Sequence, residues 1–410
     1  MTNEQLQSLL ARAQSHEPAA RYHEALQDLD ALLAQAREGG ATAFEAAALH
    51  HRGRVLRIKG ELAAAEESVR QAADLFAALQ DPVGQAQALL VKGEILSDQA
   101  KFREFEAACR EAIRLARRAN NQLVGARAVV LLGSSQILQG KADDARAYIE
   151  EGVAAYSRIG DRRGTATSLL MLGRVDHMSG RLGVAARATQ DAVAIFEELG
   201  ETRASIAACY ALAQMNLERG IAGEARPYID RGIALTLGTG DIVMELRCML
   251  LRAQVDIELG EFAVALSTMR EAQVLCSGYE LASILPEIYR TMAQAQVGLG
   301  NGAEAENSAL LAVQAAFEED DYSQGTARLA YALAMAASGR SAEADAAFAE
   351  AVDRLEKAGE TFEIGWGRLA WGQFLVAQGR RDEAGRHLAR AREAFASLES
   401  QAKVSLIDSL

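Results

Sequence analysis

The chain has 410 residues, half of them apolar, and a formal net charge of −13. That charge opposes nonspecific binding to nucleic acid or to an anionic membrane surface. Abundant alanine and only four prolines favour helix throughout.

The first segment predicts a helix over roughly residues 3–15, a turn from His16 to Ala20, and a second helix containing Ala25. Its start, Met-Thr-Asn-Glu-Gln, carries no secretory pattern, and no apolar run reaches the length of a membrane span. A cytoplasmic location is therefore expected, with Cys109, Cys209, Cys248 and Cys276 as small buried thiols.

From Gly60 onward a glycine recurs every forty residues: Ala100 takes its place once, then Gly140, Gly180, Gly220, Gly260 and Gly300 follow. Gly339 and Gly379 continue the series after a one-residue deletion, which the pattern places in a loop between Ala312 and Ala332. A fixed period of this kind marks one small unit copied many times and stacked on its neighbours. Seven residues before each of these turns stands a small residue, as at Gly53, Gly93, Gly133 and Ala213. Alanine recurs five and twelve residues after them, with Phe105 the exception at the first position and Gly152 and Gly232 in alanine's place at the second. A glycine inside a helix costs about 1 kcal/mol relative to alanine, so its repetition at one register requires a packing reason. The unit is read as helix A, tight turn, helix B, with the small residues where the two helices approach. Connections between units carry turn chemistry, as at Asp81-Pro82, Gly160-Asp161 and Leu237-Gly238-Thr239-Gly240.

This pattern resembles the tetratricopeptide repeat (TPR) family, whose signature it follows over nearly the whole chain. The resemblance implies an all-α solenoid, a right-handed superhelix of ten helix pairs over residues 1–400. Units of about forty residues, rather than thirty-four, resemble the longer-helix branch found in bacterial regulators and adaptors. Residues 401–410 read as a capping segment or the start of a linker helix. Ser405 to Leu410 also resembles the lead into a diguanylate cyclase domain, with Asp408 and Leu410 matching D-x-L. That likeness implies the regulatory half of a bacterial signalling protein.

No phosphate loop, dinucleotide fingerprint, zinc-helix motif or nucleophile elbow occurs, so neither catalysis nor a cofactor is expected. His50 and His51 are neighbours on one helix and face different ways, which suggests surface histidines rather than a metal site. The resemblance implies a concave face lined by helix A at thirteen, ten and six residues before the turn. Spacings of three, four and seven put these on one helix stripe. The stripe supplies Arg127, Arg174, Tyr210, Gln214, Arg247, Gln254, Arg290 and Gln294 as candidates for a protein or peptide ligand. The glutamines suit a peptide backbone and the arginines suit carboxylates; equally, amides at such a register bridge adjacent helices. Trp366 also falls on the stripe, as core or as an anchor. A polar column four before the turn (Gln136, Asp176, Asn216, Asp256, Gln296) predicts buried hydrogen bonds between repeats or a wet pocket. Charge is uneven: residues 101–200 carry +3 and residues 251–350 carry −10, either a polarised surface or solvated faces.

Overall fold

A computed structural model describes residues 2–16, 21–279 and 281–410. Residues 17–20 of the first expected turn lie outside that set. Among the described residues the regular structure is helical, and the chain divides into two compact units, residues 1–175 and 176–410.

Unit 1 begins with α1 (Asn3–His16) and α2 (Tyr22–Glu38), followed by α3 (Thr42–Ile58) and α4 (Leu62–Ala78). It continues through α5 (Pro82–Asp98), α6 (Phe102–Arg118), α7 (Gln122–Leu138) and α8 (Ala142–Ile159) into α9 (Arg162–Met178), within which the boundary falls. Unit 2 comprises α10 (Leu182–Glu198), α11 (Thr202–Glu218), α12 (Ala222–Thr236), α13 (Ile242–Glu258) and α14 (Phe262–Gly278). After a short 3₁₀ turn come α15 (Leu285–Gly298), α16 (Gly302–Ala315), α17 (Asp321–Ala337) and α18 (Ser341–Ala358). The last are α19 (Thr361–Ala377), α20 (Arg381–Ser397) and the short α21 (Gln401–Asp408). Within the units nine of the ten expected A–B pairs are packed together, α1 with α2 through α7 with α8 in unit 1 and α11 with α12 through α19 with α20 in unit 2. The deletion falls in the connection expected: α16 stops at Ala315 and residues 316–320 lead into α17.

From Gly40 to Gly260, and again from Gly339 to Glu399, helices end on a left-handed residue every twenty positions, twice as often as the forty-residue period; the end of α16, where Ala316 is extended, is an exception. At Gly60 the φ is +79°, and the Glu61 N–H bonds back to the Leu56 carbonyl at 2.9 Å, closing the helix end. Ala100 adopts the same conformation with φ +57° and an equivalent bond from Lys101 to Leu96. An alanine there bears strain that glycine escapes.

The small-residue seam has the expected cause. A Cβ built on Gly53 would lie 2.4 Å from Val69 and 3.2 Å from the Ala65 carbonyl; on Gly133 it would lie 2.6 Å from Ile149. Phe105, the exception, is fully buried, and a Cβ on Gly93 would meet its ring at 2.9 Å. The ring thus uses the space left by the glycine opposite.

The polar column is buried in every copy. It is a series of separate pairs rather than a continuous chain of bonds. Gln136 donates to Glu106 of the preceding helix at 2.9 Å, and Arg219 donates to Asn216 at 3.0 Å. Asp256 accepts from Arg226 of the preceding helix and, at 3.1 Å, from Arg252. Bonded in this way, Gln136 and Asn216 avoid the cost of a buried orphan, about 1–3 kcal/mol each, whereas the bonds to Asp256 fall on Oδ1 and leave its buried Oδ2 without a hydrogen-bond partner.

Candidate functional site

In unit 2 the A helices α11, α13, α15, α17 and α19 turn one stripe toward a shared hollow of about 400 Å³. Tyr210 and Gln214 come from α11, Arg247 and Gln254 from α13, and Arg290 from α15. Gln294 borders a smaller recess that shares Leu217, Gln254, Arg290, Phe362 and Glu363 with the first. Five of the eight candidate residues are thus gathered around one hollow, and a sixth, Gln294, lines the recess that adjoins it.

Its polar groups differ in how far they are committed. Glu218 accepts from Gln214 at 2.9 Å and meets His177 Nε2 at 2.6 Å. That bond raises the His177 pKa above its ordinary 6.5, against the opposing effect of burial. Arg290 is buried and donates to Glu287. Burial alone would lower its pKa, but the carboxylates of Glu287 and Glu363 reverse the direction. Glu363 is half-buried, and desolvation pushes its carboxyl upward despite the nearby Arg290. Burial likewise raises the phenols of Tyr210 and Tyr322. Gln254, Gln294 and the exposed Arg247 have no hydrogen-bond or ion-pair partner among the described residues. These three present open donors and acceptors toward the hollow.

The remaining two candidates lie in unit 1. Arg127 borders a separate hollow of about 540 Å³ and donates to Glu94 at 3.1 Å. Glu94 in turn holds Arg57 at 3.1 Å, so Arg127 belongs to a bridge between neighbouring A helices. Arg174 is exposed and borders none of the hollows described above.

Residues absent from the predicted stripe also line the unit 2 hollow, and the same spacing accounts for them. One further four-residue step toward the helix start reaches Ser283, Tyr322 and Phe362, each seventeen before its turn. One step the other way reaches Glu218 and Glu258, two before theirs. The expected stripe was too short by a turn at each end. Trp366 lines the smaller recess, whereas Trp371 is a core residue that stacks on Phe348 and donates to Asp345 at 2.8 Å.

The histidine expectation needs correcting at His50. It is buried, its ring edge-on to His51 at 5.1 Å, and desolvation lowers its pKa well below 6.5. Its position ten before the turn puts it on the inner stripe of α3 rather than on the surface. All four cysteines are buried and unpaired, and burial pushes Cys109 and Cys248 up to about 12. Those thiols are poor nucleophiles. Among the described residues no His, Cys, Asp and Glu cluster suits a metal ion, and no helix is long and apolar enough to cross a membrane.

Comparison with solved structures finds the same fold at low identity. A Rap protein complexed with Competence and Sporulation Factor aligns with a TM-score of 0.60 and 14% identity, over 87% of this chain and 99% of that one. Aspartyl phosphate phosphatase F from Bacillus subtilis gives 0.51 and 15%, over 77% and 85%. A signal transduction ATPase with a tetratricopeptide repeat sensor, from Pyrococcus horikoshii, gives 0.50 and 12%, over 83% and 54%. Comparison with curated proteins finds no match. The MalT-like TPR region model matches residues 119–391, two thirds of the chain, running from the end of α6 into α20. With its repeat signature, its paired helices and that match, the chain belongs to the MalT-like TPR family.

Proposed function

We propose that the chain is a non-catalytic binding scaffold and that the unit 2 hollow takes an extended segment of a protein or a short peptide. The observation that carries this reading is the set of uncommitted groups on one stripe: the Gln254 and Gln294 amides and the Arg247 guanidinium. Side-chain amides forty residues apart in sequence, on successive A helices, match the alternating donors and acceptors of a peptide backbone. Arg247 adds a fork for a carboxylate on the ligand. The lining is hydrogen-bonding and apolar, with Leu217, Leu250 and Phe362 beside the polar groups. The Rap relative, a complex with Competence and Sporulation Factor, supports a ligand-controlled role by analogy of fold. In this reading the scaffold is the regulatory region of a bacterial signalling protein, and its output lies in an attached or separate domain.

The test is capture of ligands from a bacterial lysate, followed by calorimetry with the synthetic peptide identified. Gln254→Ala with Gln294→Ala should weaken that peptide at least tenfold while the urea midpoint stays in place. Unchanged affinity in the double variant would remove the hollow from the account.

A further inference from the structure

Helix α21 does not simply cover the end of unit 2. Val404 and Ile407 pack on Leu369, Ala391 and Phe395. The opposite side of the segment reaches helix ends far back in the sequence. The Gly183 N–H donates to Glu399 Oε2 at 3.1 Å, and the buried Ser400 hydroxyl donates to the Glu218 carbonyl at 2.7 Å. Ala402 sits against Gly220, where an added Cβ would come within 2.9 Å of its own. Lys403 is the most unusual member. Its side chain is 7% exposed, its Nζ donates to Glu258 at 2.6 Å, and it lies 4.7 Å from the centre of the Trp366 ring.

A lysine is rarely buried to this degree unless a partner receives its charge. Here a carboxylate and an aromatic face receive it together, the chemistry by which proteins hold cationic side chains. Both groups line the recess that continues the ligand hollow, and Glu218 lines the hollow itself. The residues that fasten α21 are therefore also walls of the candidate site.

We propose that Glu258 and Trp366 form a subsite for a basic side chain, occupied in the resting chain by Lys403, so that a peptide bearing Lys or Arg at that place competes with α21. This rests on the reading of the hollow as a peptide site and names one feature of the peptide. The acidic character of unit 2, 21 Lys and Arg against 34 Asp and Glu, favours such a ligand. Binding and release of α21 are then one equilibrium, and ligand affinity falls by the fraction of time the latch is closed.

The experiment uses the full chain and a labelled synthetic peptide of residues 400–410 as probe. Ser400→Ala with Lys403→Ala should loosen the latch and leave its apolar anchor, giving probe binding at least tenfold tighter than in the unaltered chain. Adding Glu258→Gln, or replacing the probe lysine by glutamate, should abolish that gain. Equal binding in all combinations, or none in any, overturns the proposal. Hydrogen exchange on the unaltered chain is a second reading that needs no variant. Amides of α21 should exchange at least a hundredfold faster than those of α19, and equal rates would make α21 a fixed cap. Because the probe reports on Glu258 and not on Gln254 or Gln294, failure here leaves the test of the hollow separate.

Discussion

The two units share a repeat and a seam but differ in what they place on the inner stripe. Unit 1 is electrically balanced, with 22 Lys and Arg against 22 Asp and Glu, and unit 2 carries the whole net charge of −13. In unit 1 the stripe residues Glu94 and Arg127 pair with each other, and Glu94 also holds Arg57. In unit 2 Arg247, Gln254 and Gln294 are left open. The repeat dictates where a side chain sits and leaves its chemistry free, so seam positions carry the fold while stripe positions are those to which the proposed function assigns recognition.

The seam gives the largest expected effect. Gly53→Leu in unit 1 should cost about 3 kcal/mol, since neither Val69 nor the Ala65 backbone can withdraw far enough. Urea denaturation measures it, and a loss below about 1 kcal/mol would mean that the seam is loose. The stripe gives the next. Arg247→Ala should weaken a unit 2 ligand about tenfold, roughly 1.4 kcal/mol, while Arg127→Ala changes its affinity less than twofold. Equal losses from both substitutions would erase the distinction between the units.

Smaller effects probe single residues. Ala100→Gly should raise stability by about 0.5–1 kcal/mol by relieving the left-handed backbone at φ +57°. A lowered thermal midpoint would contradict it. His50 in unit 1 and His177 in unit 2 should titrate in opposite directions, followed by NMR of their ring protons. His177 is raised, so its stabilising contribution is complete below about pH 6.5 and is lost as pH climbs through its folded value. His50 is depressed, so stability falls as pH drops from 6.5 toward its folded value, because only the unfolded ring then gains a proton freely. A His177 value at or below 6.5 would show that Glu218 does not hold it.

Much of the fold was legible because its causes are local. A glycine in mid-helix is costly enough that its recurrence at Gly53, Gly93 and Gly133 betrays close contact. The stripe was legible only in its middle. The residues seventeen and two before the turn lie at helix ends, where the periodic signal merges into turn and cap composition. His50 misled because a histidine on an amphipathic helix reads as polar although its position on the stripe buries it. The contacts of the α21 segment with Gly183, Glu218 and Glu258 were not legible, although residues 401–410 read as a capping segment or the start of a linker helix. They depend on how unit 2 turns through successive repeats, a cumulative quantity to which each residue step adds little.

The bonds from Glu399 to Gly183 and from Ser400 to Glu218 join residues 216 and 182 positions apart. A stack of repeats held only by neighbours frays from its ends, each hairpin detaching with little regard for distant ones. While α21 is docked, those bonds tie the last segment of unit 2 to its first hairpins, and the closed unit has no loose end from which to peel. It should melt as one cooperative body and form more slowly, since loop entropy must be spent before those bonds reward it.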